Sequence, residues 1–222
     1  MQYEILYDQA FPMIKVQLEK GETIKAESDA MVSMSATIDI AGKMDGGLLK
    51  GLTRKLSGES MFFQTLTATR GPGEALLTHA VPGGIHAYEL DGTFELQIQK
   101  NGYLASTSGI EVTTSVQNVA KGLFSKAGFF ILKAKGRGIV FLSCFGAIHP
   151  IRLGPGEERI IDNGHLVAWP ATMNYKIEKA ASGIINSLTS GEMLVCRFTG
   201  PGDVLIQSKN PSAFKSWVAL SS

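Results

Sequence analysis

Apolar and polar side chains alternate with a period of two along much of the chain, and the alternation breaks at glycines. Ile14, Val16 and Leu18 alternate with Lys15, Gln17 and Glu19; after Glu19-Lys20-Gly21 a second short segment runs through Ile24-Lys25-Ala26 to Met31. The same order returns where Phe94, Leu96 and Ile98 alternate with Glu95, Gln97 and Gln99, followed by Asn101-Gly102, Tyr103-Leu104-Ala105 and Ile110. A third version has Ile161, Asn163-Gly164, Leu166-Val167-Ala168 and Met173, its leading strand weakened by Glu157 and Arg159. In all three an apolar residue stands two before the alanine (Ile24, Tyr103, Leu166) and another five after it (Met31, Ile110, Met173). A period of two puts alternate side chains on one face of a strand. Asn-Gly between two such runs predicts a hairpin, because a type I′ turn needs positive φ at both central residues.

A second element follows each predicted hairpin: Gly47-Leu48-Leu49-Lys50, Gly122-Leu123-Phe124-Ser125 and Gly183-Ile184-Ile185-Asn186. After each comes a strand-like run, a Gly-x-Gly, and another apolar strand. Gly71-Pro72-Gly73 leads into Ala75-Leu76-Leu77, Gly136-Arg137-Gly138 into Ile139-Val140-Phe141-Leu142, and Gly200-Pro201-Gly202 into Val204-Leu205-Ile206. These glycines read as tight turns between strands. The pattern therefore predicts an all-β chain of three tandem repeats, residues 1–91, 92–152 and 153–222, with at most short helices. No charged or Pro/Ser-rich linker separates them, so they are expected to pack as one compact unit. The better helix candidate is Gly47 to Leu56, with Leu48, Leu49, Leu52 and Leu56 on one face and Lys50, Thr53, Arg54 and Lys55 on the other. Ser212-Ala213-Phe214-Lys215-Ser216-Trp217-Val218 reads as a closing helix or an edge strand.

Composition narrows the function classes. With 21 basic and 20 acidic residues in 222, the net charge of +1 gives no electrostatic reason to expect nucleic acid as a partner. At 44% hydrophobic and 18% charged, the chain buries enough apolar surface to offset the entropy of ordering. Met1-Gln2-Tyr3-Glu4-Ile5-Leu6-Tyr7-Asp8 has carboxylates where a signal peptide needs cations, so a cytoplasmic location is the expectation. Cys144 and Cys196 stand in apolar surroundings and read as two buried thiols. The most apolar stretch, Gly138 to Ala147, is far short of the roughly 20 residues that span a bilayer.

The motifs of ordinary enzymology are missing. The histidines are His79, His86, His149 and His165, with no His-x-His. His86 and His149 occupy matching places, each after an isoleucine and four residues before a leucine, and could converge on a small-molecule or metal site between modules. Two nitrogens alone leave zinc underligated. There is no Gly-x-Ser-x-Gly and no Cys-x-x-Cys, and Ser212-Ala213-Phe214-Lys215 matches Ser-x-x-Lys as chance would. Strands, not helices, follow the Gly-x-Gly pairs, so they are not phosphate cradles. RNA is disfavoured by the charge and by the lack of an aromatic-rich basic stripe, and Phe62-Phe63 and Phe129-Phe130 read as core. The leucines and cations from Leu48 to Lys55 are what an interfacial helix presents to anionic lipid or to a partner groove, although Gly47 and Gly51 weaken a free helix.

Gly46-Gly47-Leu48-Leu49-Lys50-Gly51-Leu52 through Arg54, then Gly58-Glu59-Ser60-Met61-Phe62 and the Gly-x-Gly pairs, resemble the mitochondrial-biogenesis family named for altered inheritance of mitochondria, in its bacterial, uncharacterised branch. The resemblance covers nearly the whole chain. It implies a triplicated β-fold like that of the tryptophan RNA-binding attenuator protein, with β-sandwich-like modules packed around a pseudo-threefold axis. It brings no catalytic residue and no cofactor, and fold does not fix function. The resulting expectation is a non-catalytic β-repeat scaffold or binding module, not an enzyme. Its expected interaction surface is Leu48, Leu49, Lys50, Leu52, Arg54 and Lys55, used against a membrane surface or a protein partner. A homo-oligomer is also expected, and DNA is not.

Overall fold

The computed structural model describes residues 1–8, 11–44, 62–117, 129–179 and 194–220. Their strands, in chain order, begin with β1 (Gln2–Leu6), β2 (Met13–Leu18), β3 (Thr23–Glu27), β4 (Met31–Met34), β5 (Ile38–Met44), β6 (Phe62–Ala68), β7 (Gly73–Leu77) and β8 (Ile85–Asp91). There follow β9 (Leu96–Gln99), β10 (Tyr103–Thr107), β11 (Ile110–Gln117), β12 (Phe129–Ser143) and β13 (Ile148–Leu153). The last are β14 (Glu158–Asp162), β15 (Leu166–Pro170), β16 (Asn174–Lys179), β17 (Leu194–Thr199) and β18 (Gly202–Gln207), closed by helix α1 (Pro211–Leu220). The chain is mostly β, as its alternation predicts. The candidate helix at Gly47 to Leu56 and the Gly122 and Gly183 segments lie outside the described residues.

Among the described residues the strands form three sheets. One runs β1-β2-β7-β4 and one β14-β17-β16; the largest runs β13-β18-β15-β9-β12-β10-β3-β6-β5, with β11 and β8 also on β12. The alternation sets which side chains are buried: Ile14, Val16 and Leu18 face inward on β2, and Ile24 and Ala26 on β3. It does not set the partners. β2 pairs with β1 and β7, whereas β3 pairs with β6 and β10, so the predicted hairpin between them does not form.

The Asn-Gly hairpins fail in the same way. β9 and β10 lie on opposite sides of β12 in the large sheet, and β14 and β15 belong to different sheets. Each Asn-Gly sits in a 3₁₀ turn, Lys100–Gly102 and Asn163–His165, at a corner where the chain changes partners. Side chains hold these corners: the Lys100 amide donates to Gln99 Oε1 at 3.0 Å, and the Gly164 amide to Asp162 Oδ1 at 2.8 Å. An amide-capped corner satisfies the backbone where a hairpin ladder would otherwise do so.

The Gly-x-Gly sites are also corners. Gly71-Pro72-Gly73 and Gly200-Pro201-Gly202 separate strands that go on to different neighbours. In the middle copy there is no break: β12 runs through Gly136-Arg137-Gly138 as one 15-residue strand. Its first half pairs with β9 and β11, its second with β8 and β10. Gly136 and Gly138 have φ of 116° and 149°, and a methyl on Gly136 would stand 2.2 Å from the Gly109 carbonyl oxygen. Backbone here packs on backbone, which glycine alone permits.

Three apolar clusters fill the interior, and none keeps to one third of the sequence. The first joins Ile14, Val16, Leu66 and Leu77 to Leu104 and Phe141; the second joins Leu96, Tyr103 and Leu142 to Val167 and Leu205. The third centres on Trp169, whose ring lies edge-on to Tyr175 at 5.3 Å and Phe198 at 5.4 Å, and includes Ile131. Phe63, expected as core, is partly buried against Tyr103 at 5.4 Å, and Phe130 is half-buried beneath Lys100. Among the described residues the buried polar side chains are Gln64, Gln97, Ser106, Ser143 and Gln207, with no charged one.

Gly109 tests the close approach. A methyl there would meet the Arg137 carbonyl oxygen at 2.3 Å, whereas one on Gly42 of β5 would meet nothing within 4 Å. Gly109→Ala is expected to cost about 1–3 kcal/mol, and Gly42→Ala to be neutral or to stabilise by about 0.5 kcal/mol. Urea-unfolding midpoints of the two variants check this; equal midpoints would remove the close-approach argument.

Candidate interaction surface

At one pole of the molecule three chain passages meet. β2 starts after Phe11-Pro12, β8 after Pro82-Gly83-Gly84, and β13 after Gly146-Ala147. Gly83 and Gly146 form a parallel bridge, the Gly84 amide donates to the Gly146 carbonyl at 2.8 Å, and the Gly146 amide donates to that of Pro82 at 3.0 Å. A methyl on Gly83 would fall 1.8 Å from the Cys144 carbonyl oxygen, so the passages touch through their backbones. Beyond β18 the Ser208 amide donates to the Ala147 carbonyl at 2.8 Å, and Gln207 Oε1 accepts from the Phe145 amide at 2.8 Å. Gln207 Nε2 donates to the Gly164 carbonyl at 2.9 Å, which ties the end of β18 to a 3₁₀ corner.

Two hollows open at this pole. One, of about 420 Å³, is bordered by Asp8, Phe11, Pro12 and the strand starts at Gly83 and Gly146. It adjoins a more apolar one of about 580 Å³ through the shared walls Pro82 and Gly146; Phe145, Lys209, Phe214 and Trp217 complete the second. Phe145 and Phe214 touch at 5.0 Å between ring centres, and Phe214 stacks on Trp217 at 6.0 Å. Phe11 is 73% and Trp217 64% exposed. Tyr7 and Phe11 have φ of 57° and 55°, a conformation that costs a non-glycine residue roughly 1–2 kcal/mol.

A third, polar hollow of about 250 Å³ lies between Glu27, Asp29, His79, Asn101 and Gln207. Burial pushes the Glu27 carboxyl up from its ordinary range, and the neighbouring Asp29 charge adds to this while Lys100 opposes it. Burial likewise holds the His79 imidazole below its ordinary value, with Nδ1 accepting from the Val81 amide at 3.3 Å.

The predicted surface at Leu48, Leu49, Lys50, Leu52, Arg54 and Lys55 lies outside the described residues. His86 and His149 are both exposed, on β8 and β13, and among the described residues no group of three or more His, Cys, Asp or Glu is placed to hold a metal ion. Cys144 and Cys196 are buried and unpaired, as expected; burial pushes the Cys196 thiol up to about 12, so it is no nucleophile at neutral pH. Cys144 Sγ donates to the Gly146 carbonyl at 3.2 Å and serves the pole structurally. The polar cluster was missed by sequence reasoning because Glu27, His79 and Gln207 share no spacing. The aromatic pole had one local signal, the Asn-Pro start of an i, i+3, i+4 apolar set at Phe214, Trp217 and Val218.

A family model described as mitochondrial biogenesis AIM24 matches residues 3–209. The chain belongs to the AIM24 family. An uncharacterized protein of Streptococcus pyogenes serotype M6 is 31% identical over 222 residues, covering 96% of this chain and 88% of its own. The altered inheritance of mitochondria protein 24 of Verticillium alfalfae is 24% identical over 164 residues, which is 74% of this chain and 42% of the fungal protein. The crystal structure of protein SPYM3_0169 from Streptococcus pyogenes superposes with a TM-score of 0.82 at 27% identity, covering 100% of this chain and 99% of that one. Among the described residues of this AIM24 member, no helix is long and apolar enough to cross a membrane.

His79 gives the polar hollow a pH signature. A histidine held neutral by burial contributes stability that is complete above its ordinary pKa of 6.5 and is lost as pH falls below it. The raised Glu27 pKa acts in the opposite sense, stabilising on acidification, so the variant isolates the histidine. His79→Gln should flatten the fall in melting temperature between about pH 7.5 and 5.5; an unchanged slope would deny His79 this role.

Proposed function

We propose that this AIM24 member is a non-catalytic β-scaffold, a cytoplasmic binding module that works through its outer surface, built from three copies of one six-strand unit. The pairing scheme supports the copies. β3 and β5 flank β6, β9 and β11 flank the first half of β12, and β14 and β16 flank β17. Likewise β2 and β4 flank β7, β8 and β10 flank the second half of β12, and β13 and β15 flank β18. The register slips at the same point in each, between Met31 and Ser33, Tyr103 and Ala105, and Leu166 and Ala168. On this reading β8 and β13 open the second and third units, Ser33 is the counterpart of Ala105 and Ala168, and a pseudo-threefold axis runs through the pole.

The observation that carries the scaffold reading is the apolar interior, in which no charged side chain of the described residues is buried. Self-association is read onto sheet edges such as β14 and β16, whose outer backbone groups favour strand addition. The segment Leu48 to Lys55 supplies leucines and cations suited to an anionic membrane surface. Flotation with anionic vesicles tests it: wild type should float, and Leu49→Asp and Lys50→Glu should each reduce binding about threefold or more. If nothing floats, or neither change matters, this segment has no membrane role and a protein partner takes its place.

A further inference from the structure

Helix α1 is amphipathic, and its apolar side stays largely exposed. Phe214, Trp217 and Val218 stand at i, i+3 and i+4 and so share one face, while Ser212, Lys215 and Ser216 fall on the other. Yet every residue from Ser212 to Ala219 is exposed, Phe214 at 45% and Val218 at 46%. The helix is preformed despite its ten residues. Asn210 Oδ1 accepts from the Ser212 amide at 2.9 Å, Pro211 has no amide to satisfy, and Phe214 leans on Phe145. The apolar hollow between α1 and the body continues to Phe11 across Pro82 and Gly146, and Tyr7 and Phe11 hold exposed rings at a backbone cost that no burial among the described residues offsets.

Charge decides among occupants. Lys209 borders the hollow beside Phe214 and Trp217, Lys215 follows on α1, and no acidic residue occurs after Asp203. Asp8 is the carboxylate at the far wall. A second copy in a twofold contact would set these lysines against their own counterparts. Aromatic rings with one lysine beside them and another on the polar face of the same helix suit instead an interface that is apolar below and anionic above.

We propose that this pole, with Phe214, Trp217 and Phe11 as inserted rings and Lys209 and Lys215 as headgroup contacts, docks on an anionic lipid bilayer. The proposal rests on the reading of a surface-acting scaffold at a membrane and adds to Leu48–Lys55 a second contact at α1. Of the two tryptophans, Trp169 is fully buried and contributes constant emission, so Trp217 reports insertion. Wild-type protein is mixed with vesicles of phosphatidylglycerol and phosphatidylcholine, or of phosphatidylcholine alone, and followed by flotation and Trp emission. Binding with a blue shift is expected on the anionic vesicles. Lys209→Glu with Lys215→Glu, and separately Phe214→Ser with Trp217→Ser, should each weaken flotation about tenfold or more, with unchanged melting temperature, a larger loss than the roughly threefold one expected of Leu49→Asp. Three outcomes overturn the proposal: no binding to anionic vesicles; both double variants floating as wild type, in which case loss on Leu49→Asp would leave the earlier reading standing alone; or a blue shift that grows with protein concentration without lipid, which assigns the face to a second copy.

Discussion

One long strand holds the large sheet together. β12 carries β9 and β11 along its first half and β8 and β10 along its second, so four neighbours depend on a single backbone holding its direction across Gly136 and Gly138. Side chains at either glycine would collide with Gly109 or Thr107, within 2.2 Å in both cases. A hinge of this kind is rigid, because its freedom is spent on a close backbone contact. A hydrogen bond backs it: Thr107 Oγ1 accepts from the Ile139 amide at 3.0 Å just past Gly138.

That joint explains why the apolar clusters ignore the sequence thirds. Leu104 and Phe141 sit with the residues of β2, β3 and β7, and Ile131 sits beside Trp169 and Phe198, because the two ends of β12 in the large sheet face different clusters. A unit removed from its neighbours would expose part of a core it does not own, which makes independent folding of the thirds unfavourable. Tyr103 shows the same dependence in one residue: fully buried, its hydroxyl shares a 2.9 Å hydrogen bond with Ser106 while its ring meets Phe63.

Side-chain alternation was legible because it reports which face of a strand is wet, and that is settled locally at positions such as Ile14, Val16 and Leu18. Strand partners were not legible, because a corner and a hairpin draw on the same residues. Asn163-Gly164 is as well suited to a capped 3₁₀ turn, with Asp162 accepting from the Gly164 amide, as to a type I′ turn. The decision rests with distant strands such as β17 and β18, which offer β14 and β15 separate ladders. The alanine marker had the same weakness. It located Ala105 and Ala168, each just past a slipped register, but in the first third it matched Ala26, whereas the slip lies at Ser33.

The aromatic pole was legible only at its helix, for a different reason. Phe11, Pro82, Phe145 and Trp217 are separated by long stretches of chain and converge only because the strand starts at Gly83 and Gly146 bridge. The helix that completes the pole is too short to persist alone, and a free ten-residue segment would forfeit most of any interfacial binding in ordering itself. Anchored by Asn210 and Phe145, it has already met that cost as part of folding. What remains for a ligand at this face is the transfer of rings from water, which is why a short segment on a rigid β-body serves as an interface where the same sequence in isolation would not.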